Sequence, residues 1–213
     1  MVDSGAGGLL DLLRAGLEPT GRAWLDGAVA AIRAPFQREA FISAFAIAAR
    51  RVGRARLSGV GWSADEAARS ALLLHGAAAQ PPAAFVALVD DLYQHGDSRE
   101  RQAILRTLAW LPEPERFLGL AVDACRTSVQ PVFEAIACEN AYPAAHFPDL
   151  NFNQLVLKAL FLSVPLRRIV GLQHRIGPEL RRMAAGYASE RRAAGRSVPA
   201  DLGVVLDHEE SRA

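Results

Sequence analysis

Residues 82–126 read PAAFVALVDDLYQHGDSRERQAILRTLAWLPEPERFLGLAVDACR. Apolar side chains recur in this stretch at i, i+3, i+4 and i+7, and the runs are separated only by Gly96-Asp97 and by the Pro112-Glu-Pro114 triplet. That period predicts amphipathic helices over 82–95, 98–111 and 113–126. Connections of a few residues force neighbouring helices to run antiparallel, so the segment reads as stacked helical hairpins. Asp97-Ser-Arg-Glu100 supplies a cap and an acid three residues on, and Ser63-Ala-Asp-Glu66 has the pattern of a capping box. Pro112, Pro114 and Pro131 fall where a first helical turn tolerates a residue without an N–H.

The same reading extends in both directions. Alanine makes up roughly a fifth of the chain, and no alternating run of β-branched residues is bounded by hairpin turns. Further helices are expected at 5–16, 20–33, 36–52, 63–76, 129–139, 151–163 and 165–194, the last interrupted near Gly177-Pro178. The total is about nine or ten helices, and the fold class is all-α. Because Asp97–Cys138 has the form of a HEAT-like pair, the expected architecture is an irregular HEAT-like α-solenoid, a helical-hairpin stack, with a globular bundle as the alternative. A single helical domain over 1–213 is expected. Within it the Gly-rich connector 53–61 (GRARLSGVG) sets off an N-terminal helical subdomain, 1–52. The tail after Arg196 ends in an acidic stretch expected to fray.

Composition bounds the function. With 213 residues, 51% apolar and 22% charged, the chain has enough apolar surface for a core and is not a disordered polypeptide. Lys+Arg 24 against Asp+Glu 23 gives a net charge of +1, which argues against a nucleic-acid partner. The first residues lack a basic n-region, and Asp11 and Arg14 break their apolar stretch, so a cytoplasmic location is expected. No window offers the roughly 18–20 clean apolar residues of a transmembrane helix. Cys125 and Cys138 form neither a CxxC pair nor a metal-ligand spacing.

The unusual polar residues lie in 126–172, RTSVQPVFEAIACENAYPAAHFPDLNFNQLVLKALFLSVPLRRIVGL. Lys158 is the sole lysine in a chain that otherwise uses arginine, and it sits in an apolar helix. Gln154 precedes it by one turn, and Asn151 joins the same face. An ammonium in such a helix needs compensation, so Lys158 is expected to meet Glu134, Glu139 or an anionic ligand. Between the helices, the loop Glu139–Pro148 carries Asn140, Tyr142 and His146 between prolines, as a loop that presents polar side chains would. Glu134, His146 and Lys158 are therefore the candidate catalytic residues. The candidate ligand-binding set joins Arg106, Glu139, Asn140, Tyr142, Asn153 and Gln154 to those three. The spacing of Glu134, Glu139 and His146 matches no recognised metal motif, so neither metal nor cofactor is expected.

Each residue also has a structural reading. Lys158 fits a buried ion pair equally well, and Asn151 and Asn153 fit helix capping. Arg167-Arg168 and Arg181-Arg182 read as solvated helix faces.

Two long stretches resemble the EboA family of metabolite traffic proteins: Glu134–Phe147 (EAIACENAYPAAHF), and Asn151–Phe161 (NFNQLVLKALF) followed by Val164–Val170 (VPLRRIV). The resemblance extends to Tyr187–Arg196 (YASERRAAGR) and Pro199. It implies an accessory role in making or exporting a secondary metabolite, as in delivering scytonemin precursors to the periplasm. Its implied partners are a small metabolite or a pathway protein, including a membrane-bound prenyltransferase-like protein, a TatD-like hydrolase and a dehydroquinate-synthase-like enzyme. No catalytic residues carry over, and Ala141 stands where the family has proline after the Glu-Asn pair. The expected function is a helical binding or adaptor protein, in keeping with the absence of a nucleophile elbow or phosphate loop. The alternatives are a small-molecule enzyme built on the Glu/His/Lys cluster, and a purely structural cluster with function on an exposed oligomer surface.

Overall fold

The computed structural model describes residues 8, 11, 15–32, 35–57 and 61–207. The helix expected at 5–16 lies mostly outside them. The chain divides into two compact units, Met1–Phe117 and Leu118–Ala213. Among the described residues every regular element is helical, apart from one isolated antiparallel bridge between Arg56 and Ser63. The fold is all-α.

The first unit contains α1 (Pro19–Ile32), α2 (Arg38–Val52), α3 (Ala64–Ala78), α4 (Pro82–His95) and α5 (Ser98–Thr107). Helix α3 is its axis: every residue from Ala64 to Gly76 is buried, with α1, α2 and α5 packed around it. Small residues make this possible. Ala64, Ala67, Ala68 and Ala71 let neighbouring backbones approach, and at Gly76 a Cβ would stand 2.7 Å from Cε2 of Phe41. Both expected capping boxes form, with Ser63 N–H donating to Glu66 at 2.8 Å and Asp97 N–H to Glu100 at 2.9 Å. The connector 53–61 is pinned at its ends, where Leu57 N–H donates to Trp62 and Ala64 N–H to Ala55.

Burying α3 also buries its charges. Asp65, fully inaccessible, accepts from Arg69 Nη1 at 3.0 Å and from Arg99 Nε and Nη2 at 3.0 and 2.9 Å, while Ser63 Oγ donates to it at 2.7 Å. Burial pushes its carboxyl upward, but the hydrogen bonds from Arg99 and Ser63 and the charges of Arg99 and Arg69 outweigh this and hold it below the ordinary carboxylate range. The helix expected at 98–111 ends at Thr107 and tightens into a 3₁₀ turn, Leu108–Trp110. Leu111, preceding a proline, is extended at φ −76° and ψ 149°. The helix expected at 113–126 likewise begins as a 3₁₀ turn over Pro114–Phe117.

The second unit comprises α6 (Leu118–Ala124), α7 (Gln130–Ala137), α8 (Tyr142–His146), α9 (Asp149–Phe161), α10 (Leu172–Arg175), α11 (Pro178–Ala193) and α12 (Leu202–Leu206). The break expected at Gly177-Pro178 separates α10 from α11. Helix α12 was not anticipated. Its Leu202 and Val205 are buried, and Asp201 before it accepts from Leu166 N–H at 2.7 Å. No helix among the described residues is long and apolar enough to cross a membrane.

Candidate functional site

Helix α9 organises the second unit. Its N-cap is Pro148, so Asn151 and Asn153 stand inside the helix rather than capping it. Helical spacing sends Asn151, Gln154 and Lys158 to one side and Asn153 to another. The first three, with Leu155, line a cavity of about 340 Å³ closed by Val122, Cys125, Arg126 and Phe147.

Lys158 was expected to meet Glu134, Glu139 or an anionic ligand; neither glutamate pairs with it. Its ammonium donates to the carbonyls of Cys125 and Thr127 at 2.5 and 2.6 Å and stands 5.1 Å from the centroid of the Phe133 ring. Cys125 and Thr127 belong to the turn just past the C-terminus of α6, so the cation stands near the negative end of that helix and satisfies two carbonyls of the turn. Burial lowers the Lys158 pKa, with the Cys125 thiol opposing the shift, and burial pushes Cys125 up to about 12 against the pull of Lys158 and Arg126. The thiol therefore stays protonated at neutral pH. Two N–H groups of Lys158 are thus engaged and one remains.

The glutamates belong to Arg168. Its Nη1 donates to Glu134 at 2.6 Å, and its Nε and Nη2 grip Glu139 at 2.8 and 3.0 Å. These bonds, Glu139's first and then Glu134's, raise the Arg168 pKa above its ordinary value. Glu134 also accepts from Gln130 at 2.8 Å. Arg168, read as part of a solvated face, is therefore the central cation of the expected cluster.

The other candidates are dispersed. Asn140 is buried and shapes the loop, donating to the Ala135 carbonyl at 3.0 Å and accepting from Tyr142 N–H at 3.0 Å. Tyr142 is inaccessible, with its ring centroid 4.7 Å from that of His146 and the two rings tilted at 40°, which packs the histidine against it within α8. Arg106 lies in the first unit, 3.5 Å from Glu66. Among the described residues no three His, Cys, Asp or Glu side chains are placed to hold a metal ion.

What remains as a site is the cavity beside Lys158. Two cations and no carboxylate line it, and among the described residues the side-chain amides of Asn151 and Gln154 have no hydrogen-bond partner. Val122, Leu155 and Phe147 supply an apolar wall. Arg126 and Asn151 were not in the expected set. Only helical spacing pointed to Asn151, and nothing local marked Arg126, which approaches the cavity from the end of α6. Such a lining is chemically suited to a small anionic or strongly polar molecule with an apolar portion. A family model described as Metabolite traffic protein EboA matches residues 8–207. No curated protein and no solved structure matches the chain.

Proposed function

The chain belongs to the EboA family of metabolite traffic proteins, and from that premise we propose that it is a helical binding protein that holds a small anionic metabolite in the cavity between α6 and α9. The supporting observation is the lining: the remaining N–H of Lys158 and the exposed Arg126, which also reaches Asp123 at 3.3 Å, supply positive charge, and the amides of Asn151 and Gln154 supply hydrogen bonds with no internal competitor. A site that holds without transforming suits traffic, in which the molecule is passed to a pathway enzyme or to a membrane-bound prenyltransferase-like partner from the cytoplasmic side. The molecule carried is, on this reading, a secondary metabolite.

The test is native mass spectrometry and thermal shift against phosphorylated sugars, cyclitols and prenyl phosphates, comparing wild type with an Arg126→Ala/Gln154→Ala double variant. Both side chains are exposed, so the variant leaves the core intact. Binding lost in the variant at an unchanged melting temperature is the expected result. A ligand bound equally by both proteins would overturn the assignment.

A further inference from the structure

A second cavity, of about 310 Å³, lies on another side of α9 at the start of α11. Asn153 lines it. That residue is 4% exposed, yet among the described residues its side-chain amide has no hydrogen-bond partner. The amide opens onto the cavity, so its N–H and C=O are available to a group bound there.

The opposite wall is the beginning of a 16-residue helix. Its N-cap is Gly177, which has no side chain to cap with, and Pro178 contributes no N–H. The first intrahelical bond in this turn is Arg181 N–H to Gly177. Among the described residues the N–H groups of Glu179 and Leu180 therefore have no hydrogen-bond partner. Unpaired amides at a helix start attract negative charge. The charged side chains nearby are already balanced: Arg175 pairs with Asp149 at 3.0 Å and donates to the carbonyls of Ala144 and Phe147, while Arg182 holds Glu179 at 2.7 and 2.8 Å. The arginine and the carboxylates on the cavity wall are paired, and His174 is the one further ionisable side chain lining it, so the cavity suits a single negative charge presented by a planar group with two acceptors, and it disfavours a dianion.

We propose that this cavity is a second binding site, selective for a carboxylate, which the Asn153 amide and the Glu179 and Leu180 backbone N–H groups hold. It is separate from the cavity beside Lys158 and stands whether or not that one binds a metabolite.

The experiment titrates the ¹⁵N-labelled full chain with sodium acetate at constant ionic strength, with chloride and inorganic phosphate as comparators, and follows the Glu179 and Leu180 amide resonances. Saturable shifts with acetate, weaker with phosphate and absent with chloride, are expected. Asn153→Leu removes one hydrogen bond and is expected to weaken acetate about five-fold. Gly177→Asp is the decisive variant. A Cβ there meets nothing within 4 Å and φ is −107°, so the new carboxylate is free to cap the same N–H groups and exclude acetate while the helix stays folded. No saturable shift in wild type, phosphate binding as tightly as acetate, or acetate binding unchanged in Gly177→Asp would each overturn the proposal.

Discussion

Arg168 and Glu139 hold each other twice: the guanidinium grips the carboxylate through two hydrogen bonds, and the Glu139 backbone N–H donates to the Arg168 carbonyl at 2.8 Å. Glu139 sits at φ +49°, in the left-handed region, at the turn where α7 gives way to the α8 loop. The double link fixes a strained turn, and through Glu134 it ties the turn to α7. Arg168→Met is expected to destabilise the protein by about 1–2 kcal/mol, a value kept low because all three side chains are partly exposed to water. Arg168→Lys recovers little of this, because an ammonium does not reproduce the two-pronged grip. Urea unfolding of the three proteins checks both statements; an unchanged midpoint for Arg168→Met would mean the link is idle.

Lys158→Met strips the cation from the end of α6 and leaves the carbonyls of Cys125 and Thr127 without their donor. The expected loss is about 1–3 kcal/mol, with the apolar stem of Met preserving the packing. Glu134→Gln, by contrast, is expected to leave the Lys158 environment unchanged, since that carboxylate pairs with Arg168. A double-mutant cycle between positions 134 and 158 measures this, and coupling well above about 0.5 kcal/mol would contradict it.

Asp65→Asn removes the carboxylate that two arginines share in the core of the first unit. Arg69 is left buried and undercompensated, and a loss of about 3–5 kcal/mol follows. The sign of the pH dependence follows from the depressed Asp65 pKa. Its contribution is fully present above the ordinary value of 3.8 and is lost as pH falls through the lower folded value. Wild-type stability therefore declines below about pH 4, and Asp65→Asn flattens that part of the curve. Chemical denaturation from neutral pH down to about pH 2 reads both effects; parallel curves for the two proteins would refute the assignment.

Gly76→Ala inserts a methyl group where the Phe41 ring already stands. Helix propensity favours the change by about 1 kcal/mol, but overpacking opposes it by about 1–3 kcal/mol, so a net loss is expected. Thermal melts of the variant decide which wins.

Local chemistry was legible in the sequence, and long-range pairing was not. The capping boxes at Ser63 and Asp97 and the break at Gly177-Pro178 involve residues within a few positions of one another, and each formed as read. The shared face of Asn151, Gln154 and Lys158 followed from helical spacing, but the carbonyls that engage Lys158 lie 33 and 31 residues away and carry no side-chain signature. Arg168 reaches Glu139 and Glu134 across 29 and 34 residues, so its neighbour Arg167 looked equivalent in the sequence. Grouping Asn153 with Gln154 overlooked the roughly 100° between consecutive helical positions, which sends it to a different cavity. The burial of α3 was hidden for another reason. Asp65, Glu66, Arg69, Ser70 and His75 give it the look of a helix with a wet face, and only packing from several sides, which no local pattern records, encloses them.

That enclosure sets a timescale. Because every α3 residue from Ala64 to Gly76 is buried, deuterium reaches the amides of residues 67–76 only when α1, α2 or α5 comes away, and local fraying does not expose them. Those amides are a built-in clock for the cooperative opening of the first unit, and their exchange rate reports the free energy of that opening, undiluted by the breathing of its ends.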